Sequence, residues 1–99
     1  EAFNRFSEWI YHNPHSREDE LKWLEMQGPV VPELVETLRR EHHRYDLLVF
    51  FTYLYYPTVY GLQVAPEKSV LIPTAHDEPP LALDIYKEVF NLPCSLIFN

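Results

Sequence analysis

The first 43 residues place apolar side chains at the three- and four-residue spacing of amphipathic helices. This spacing predicts three helices, over residues 2–12, over residues 17–27, and from Pro32 to residue 43. Ser16 is the predicted N-cap of the second helix, and Asp19 three positions later completes a loose capping box with it. The first part of the chain is therefore expected to be helical.

Beyond residue 44 the pattern changes to short apolar runs bounded by turn residues. It predicts strands over residues 45–51, 69–72 and 96–98, with a short helix around residues 58–60 and a longer one over residues 81–90. The apolar run in the first strand is typical of parallel strands whose two faces are both covered by helices. The longer helix repeats apolar residues at the helical period: Ala82, Ile85, Tyr86 and Val89.

Strands that alternate with helices in this way indicate right-handed crossovers and a parallel sheet. The predicted fold class is therefore α/β, a partial Rossmann-like arrangement of about three parallel strands with flanking helices. The 99 residues accommodate a single partial domain, helical over residues 1–44 and strand-helix-strand-helix-strand over residues 45–99. Because the chain starts at Glu1 rather than Met and ends on an apolar run that needs cover, we expect an excerpt of a longer protein.

The charge balance of 8 basic against 15 acidic residues gives a net charge of -7, which argues against nucleic acid or an anionic membrane as partner. The longest uncharged apolar stretch, residues 47–56, is far shorter than the roughly 20 residues of a membrane helix. We therefore expect a soluble, cytoplasmic chain without an integral membrane segment. Cys94 is the only cysteine, which excludes an internal disulfide, and its place beside a strand predicts a buried, inert thiol.

The candidate chemistry lies where the apolar strand over residues 69–72 gives way to His76, Asp77 and Glu78. Loops beyond the carboxyl ends of parallel strands form the crevice in which α/β sheets bind ligands. The unperturbed pKa of histidine, about 6.5, suits His76 to act as a general acid, a general base or a hydrogen-bond donor. The two carboxylates are explained equally well as caps of the following helix.

Aromatic residues cluster after the first predicted strand, where their rings are suited to stack on a sugar: Tyr53, Tyr55, Tyr56 and Tyr60. Core packing is the alternative, and strand alternation leaves one or two of the four rings free to touch a ligand. The remaining histidines lie near helix ends, where we expect them to be solvated or to stabilise the helix dipole: His12, His15, His42 and His43.

Metal and phosphate sites have little support in the sequence. Adjacent side chains diverge, so a metal bound by His76 and Glu78 needs further ligands, and no HExxH or CxxC spacing supplies them. A small metal-dependent hydrolase that uses these two residues remains an alternative. With only Gly28 and Gly61, the chain has no Gly-rich phosphate loop.

Three stretches of the chain, residues 45–58 (YDLLVFFTYLYYPT), 71–79 (LIPTAHDEP) and 90–99, resemble the N-terminal half of bacterial family 4 (group 1) glycosyltransferases. The resemblance covers most of the chain from Trp23 onward and weakens before Ser16. It implies the GT-B arrangement of two Rossmann-like domains, in which a sugar passes from a nucleotide-sugar donor to an acceptor with retention of configuration. The resemblance also implies that the reaction requires neither a metal nor another cofactor.

In that family the N-terminal domain mainly holds the acceptor, and a histidine at the end of one strand reaches the donor sugar. The resemblance assigns this catalytic role to His76, and makes four neighbours candidates for substrate contact: Asp77, Glu78, Tyr53 and Tyr55. The family's Gly-rich loop, nucleotide-sugar domain and paired glutamates are absent from this sequence, so we expect the chain alone to be inactive. The alternative is a non-catalytic α/β module that self-associates through an exposed sheet edge, and both hypotheses predict a homo-oligomer.

Overall fold

Five α-helices and three β-strands make up residues 1–98, the part of the chain that this computed structural model describes. The helices are α1 Ala2–His12, α2 Arg17–Gln27, α3 Pro32–Glu41, α4 Tyr56–Gly61 and α5 Asp84–Asn91. The strands are β1 Leu48–Phe51, β2 Ser69–Ile72 and β3 Ser95–Leu96. Three 3₁₀ turns lie over His42–Arg44, Pro66–Lys68 and Pro79–Ala82.

The strands form one parallel sheet in the order β1-β2-β3. Val49 is opposite Val70, Phe51 is opposite Ile72, and Leu71 is opposite Leu96. The predicted α/β class, with three parallel strands and flanking helices, is confirmed.

Local sequence signals place the first two helices correctly. The Ser16 hydroxyl accepts a hydrogen bond from the Asp19 backbone N–H at 3.1 Å, and the Asp19 carboxylate accepts one from the Ser16 backbone N–H at 2.9 Å. This reciprocal pair is the predicted capping box, so both orphan N–H groups are satisfied within one turn of the chain.

The first strand begins at Leu48 rather than at residue 45. The Lys68 ammonium donates to the carbonyl of His42 at 2.6 Å and to that of Tyr45 at 3.0 Å. These bonds hold the end of the 3₁₀ turn beside the sheet, so the chain joins the ladder only after Leu47. Three consecutive residues before the strand remain exposed: Tyr45, Asp46 and Leu47.

The boundaries of the later elements also differ from prediction. The helix predicted from residue 81 starts at Asp84, because Pro79 and Pro80 lack N–H groups and the chain first forms a 3₁₀ turn. Ala82 consequently lies outside the helix and is exposed, although the other three apolar residues of its predicted stripe are buried. The last strand is Ser95–Leu96 rather than residues 96–98. Asn99 lies outside the described residues.

The helices pack on one face of the sheet, where Phe50, Leu71 and Leu96 join the hydrophobic core. Gly61 lets α4 cross β1 closely, since a Cβ atom there would lie 2.6 Å from the Phe50 ring. Trp23 of α2 lies at the centre of the helical layer and is 1% exposed.

On the opposite face of the sheet, the side chains of the two outer strands are uncovered in the described chain. Val49, Phe51 and Ile97 are 46%, 64% and 51% exposed, so the expectation that helices cover both faces is wrong here. The strand order explains this, because successive right-handed crossovers that step in one direction place α4 and α5 on the same side. We call this surface the open face. Its exposed residues lie along the two outer strands: Val49, Phe51, Ser95 and Ile97. On the central strand Ile72 is partly exposed and Val70 is only 7% exposed.

A buried carboxylate joins the helical segment to the sheet segment. Glu20 of α2 is 2% exposed, and its two oxygens accept the backbone N–H groups of Ile85 at 2.8 Å and Asp84 at 3.1 Å. These are orphan donors at the start of α5, whose own N-cap residue, Leu83, has no capping side chain. Glu20 therefore caps α5 from another helix, and the sequence-based interpretation of Asp77 and Glu78 as its caps is wrong.

His15 contacts the same buried carboxylate and is largely buried, so of the two alternatives predicted for it, solvated or dipole-stabilising, the solvated one is wrong. Its Nδ1 lies 2.8 Å from the Asn13 carbonyl and its Nε2 lies 2.6 Å from the Glu20 carboxylate. Only the charged imidazolium donates from both nitrogens. The bond to the Asn13 carbonyl raises the pKa of His15 most, burial opposes it, and the hydrogen bond and charge of Glu20 raise it further.

We expect the contacts of His15 with Asn13 and Glu20 to make the stability of the chain depend on pH. Because the folded-state pKa of His15 lies above its unfolded value, the added stability is full below the unfolded pKa of about 6.5. It is lost as the pH rises through the folded pKa. Urea unfolding at about pH 5.5 and about pH 8.5 should show that His15→Gln removes part of the wild-type advantage at the lower pH. His43→Gln, at an exposed position remote from Glu20, should leave the pH profile unchanged.

Candidate functional site

The candidate site lies at the carboxyl edge of the sheet, where β1 and β2 end side by side. The Thr52 backbone N–H donates to the Ile72 carbonyl at 2.8 Å, and the Tyr53 N–H donates to the Pro73 carbonyl at 3.1 Å. The two chain segments therefore run together beyond the strands. Residues that are about 25 positions apart in sequence become neighbours at this edge, as parallel strands require.

Both segments bend sharply at a threonine. Thr52 has φ 64° and Thr74 has φ 47°, in the left-handed region that β-branched residues rarely adopt. Such residues cost of order 1–3 kcal/mol each and cluster at functional sites. The Thr58 hydroxyl donates to the Thr52 carbonyl at 2.8 Å, and the Thr74 hydroxyl donates to the Pro73 carbonyl at 2.7 Å. These bonds fix the direction in which each loop leaves the sheet.

Tyr53 is buried under this edge and positions Glu78. It is 1% exposed, and its hydroxyl donates to the Glu78 carboxylate at 2.9 Å. Its ring packs edge-on against Tyr86 at 4.9 Å between centroids, and the Tyr86 hydroxyl donates to the Leu54 carbonyl. Burial first, and then the Glu78 carboxylate, raise the pKa of Tyr53 well above its ordinary value, so the hydroxyl keeps its proton and remains a donor.

Tyr53 is enclosed by the core, so its ring offers almost no surface for direct contact with a ligand, and the role predicted for it in substrate contact stays a prediction. Strand alternation anticipated that one ring of the cluster points inward. Its partner Tyr86 was assigned only to an apolar stripe, since a sequence pattern does not show where a hydroxyl ends. Tyr55 points outward and is exposed, which leaves its ring free for contact. Tyr56 and Tyr60 stack on each other along α4, 4.6 Å apart.

His76 and Asp77 are exposed in the loop after β2. Within the described residues neither side chain makes a hydrogen bond or ion pair, whereas Glu78 is held by Tyr53. The edge thus presents an imidazole and a free carboxylate beside a fixed carboxylate. Such groups bind hydroxyl groups by hydrogen bonds, with carboxylates as acceptors and the imidazole as both donor and acceptor.

The edge is an open surface, and residues 1–98 form no pocket around it. Among the same residues, no three histidine, cysteine, aspartate or glutamate side chains are grouped so as to hold a metal ion. Cys94 is exposed rather than buried, because it lies in the connection to the short outer strand β3. In the part of the chain that the structure describes, no helix has the length and apolar character needed to cross a membrane.

Comparison of the chain with protein-family models, with curated proteins and with solved structures finds no match.

Proposed function

We propose that this chain is the acceptor-side part of a retaining glycosyltransferase, which transfers a sugar from a nucleotide sugar to an acceptor. In this proposal it belongs to the N-terminal Rossmann-like half of a GT-B enzyme. The observation that carries the proposal is the meeting of residues 45–58 and 71–79, the two stretches with the strongest family resemblance, at one sheet edge. Ligands of open α/β sheets bind at this edge.

In this proposal, the role of each side chain at the carboxyl edge follows from how exposed it is and from what holds it in place. His76 is exposed at the loop after β2, where its imidazole is free to donate to or accept from a sugar hydroxyl. Glu78 is held by the Tyr53 hydroxyl, which keeps its carboxylate in one orientation for an acceptor hydroxyl. The ring of Tyr55 offers an apolar face on which a sugar can stack. Tyr53 acts as a positioning residue that touches Glu78 rather than the sugar.

Donor binding in this proposal requires a second Rossmann-like half. Residues 1–99 contain no Gly-rich phosphate loop, and the carboxyl edge forms no pocket in the described residues. An open edge of this kind leaves most of a ligand in water, so its affinity for a sugar is low. We therefore expect the chain to bind saccharides weakly and to catalyse no transfer.

We expect the weak binding of saccharides to be measurable in titrations followed by amide NMR shifts. Methyl glucoside and methyl mannoside serve as acceptor probes, and at least one should shift the amides of residues 75–78, with millimolar affinity. His76→Ala should abolish or strongly weaken these shifts, because it removes the exposed imidazole. His43→Ala, an equally exposed histidine beyond α3, is the matched control and should leave the titration unchanged.

Two results would contradict the proposal. The first is the absence of localised shifts at this loop with every saccharide tested. The second is micromolar binding of UDP-glucose to the isolated chain, because that would place a complete donor site within residues 1–99.

A further inference from the structure

The two ring nitrogens of His15 both face hydrogen-bond acceptors. Nδ1 lies 2.8 Å from the Asn13 carbonyl, in the connection between α1 and α2, and Nε2 lies 2.6 Å from the Glu20 carboxylate. The charged imidazolium has an N–H group for each acceptor, whereas the neutral ring has one N–H group and one lone pair. A neutral His15 therefore places a lone pair against an acceptor oxygen at one of the two contacts, whichever nitrogen keeps the proton.

The carboxylate that contacts His15 also holds the start of α5. Glu20 accepts the backbone N–H groups of Asp84 and Ile85, and the N-cap residue Leu83 supplies no side-chain acceptor of its own. When the imidazolium loses its proton, the buried carboxylate loses the cation in contact with it. A buried carboxylate without a cationic partner is unfavourable. Glu20 then has to gain water or another donor, and the first turn of α5 is held less firmly.

The first turn of α5 is linked by side-chain contacts to the carboxyl edge of the sheet. Tyr86 follows Ile85, its ring packs edge-on against Tyr53 with the centroids 4.9 Å apart, and its hydroxyl donates to the Leu54 carbonyl at 2.5 Å. Tyr53 in turn donates to the Glu78 carboxylate at 2.9 Å. A shift of the first turn of α5 therefore moves the side chains that position Glu78.

We propose that His15 is a pH-dependent switch within the folded chain. Its imidazolium fixes the start of α5 through Glu20 and so keeps Glu78 in place at the carboxyl edge, and loss of the proton loosens both. This is a rearrangement of the folded state, distinct from the pH dependence of unfolding. It rests on the proposed function only in taking the carboxyl edge as a ligand site, because the positions of α5 and Glu78 can be measured without a ligand.

The charged groups around His15 set the pH range of the switch. Asp19 of α2 and Asp84 at the start of α5 face the imidazole, and both carboxylates favour its charged form. Helix α1 presents the uncharged ring of Trp9, 6.5 Å from the imidazole between centroids. The pKa of His15 is raised, first by its bond to the Asn13 carbonyl, so the proton is lost above the ordinary value of about 6.5.

The other cations near Glu20 do not replace the imidazolium freely. Arg17 of α2 is paired with Glu88, and Lys87 of α5 is paired with Asp84. Either cation would have to leave an existing ion pair to reach the buried carboxylate. Loss of the His15 proton is therefore not compensated without a rearrangement at α5.

The test is a titration of the full chain from about pH 5 to about pH 9, followed by amide NMR shifts. The amides of Asp84, Ile85 and Glu78 should all show a step whose midpoint equals that of the His15 ring resonances. His15→Gln should remove this common step at all three amides. His12→Gln, at a neighbouring histidine whose side chain is 70% exposed, is the matched control and should retain it.

His76 lies two positions before Glu78 and titrates in the same range, so the step assigned to His15 is the difference between wild type and His15→Gln. If His15→Gln does not fold, Glu20→Gln provides the test, because the neutral partner should lower the midpoint of the common step by at least about half a pH unit. An unchanged midpoint there would overturn the proposal.

Two results with His15→Gln would also overturn it. In the first, the amides at the start of α5 do not follow the titration of His15. In the second, they follow it, but the Glu78 amide titrates identically in wild type and His15→Gln, so the edge is not coupled to the switch. A failure of saccharides to bind would contradict the proposed function alone, because this titration contains no saccharide.

Discussion

Replacing Trp23 with alanine should destabilise the chain by about 4 kcal/mol, close to its whole stability. Trp23 is 1% exposed, its ring contacts Phe3, Tyr11 and Tyr86, and its indole N–H donates to the Ser7 hydroxyl at 2.8 Å. Alanine removes these contacts, leaves a large cavity between α1, α2 and α5, and deprives Ser7 of its buried partner. Urea unfolding at a fixed protein concentration, followed by far-UV circular dichroism, measures the loss.

Trp9 provides a matched control on α1. It is 41% exposed and stacks on the partly buried Phe6, so Trp9→Ala removes a surface contact and opens no internal cavity. Its cost should stay near or below about 1 kcal/mol. Equal losses in the two variants would mean that Trp23 is not the centre of the core.

Glu20→Ala should lower the free energy of unfolding by about 3 kcal/mol. The apolar pattern of the sequence does not predict this loss, because Glu20 is a charged residue. The substitution leaves the buried N–H groups of Asp84 and Ile85 without an acceptor and takes a carboxylate from the N-terminus of α5. It also removes the charge that faces His15, so the pH dependence of stability assigned to that residue should shrink. Urea unfolding at two pH values measures both effects.

Glu18 is the control for this change, because it lies in the first turn of the same helix and is exposed. Glu18→Ala should cost no more than about 1 kcal/mol, mainly through the dipole of α2. Glu20→Gln keeps one acceptor oxygen and should fall between wild type and Glu20→Ala. A Glu20→Ala variant as stable as Glu18→Ala would show that α5 does not depend on this cap.

Prediction from sequence succeeded where the determining interactions are close along the chain. The capping box joins Ser16 and Asp19, which are three positions apart, and the sequence places it and the helix that it starts correctly. The predicted strand over residues 69–72 has the observed bounds, because Lys68 precedes it and Pro73, which has no N–H group for the ladder, follows it. The cap of α5 was missed, since Glu20 and Ile85 are 65 positions apart and a charged residue within a helix gives no sign of such a partner.

The candidate site was predicted in part. The sequence indicated that residues 76–78 follow a strand end, and in the structure Glu78 of this loop accepts a hydrogen bond from Tyr53, just beyond the end of β1. It did not indicate that Tyr53 is enclosed while His76 is exposed. Which side chain of the cluster is enclosed depends on how the core packs. The left-handed conformations of Thr52 and Thr74 also had no sequence signal, because threonine is disfavoured there.

The sequence by itself determined the bounds of the first two helices, the parallel α/β class and the position of the ionisable loop, because apolar periodicity, caps and strand-end chemistry act over a few residues. Only the tertiary structure decided which residues meet across the chain and which face of the sheet remains open. Val49 and Phe50 are adjacent and equally apolar, yet one is exposed and the other packs against Gly61. The order of the strands and the hand of the crossovers place the helices over Phe50, and no local pattern contains that order.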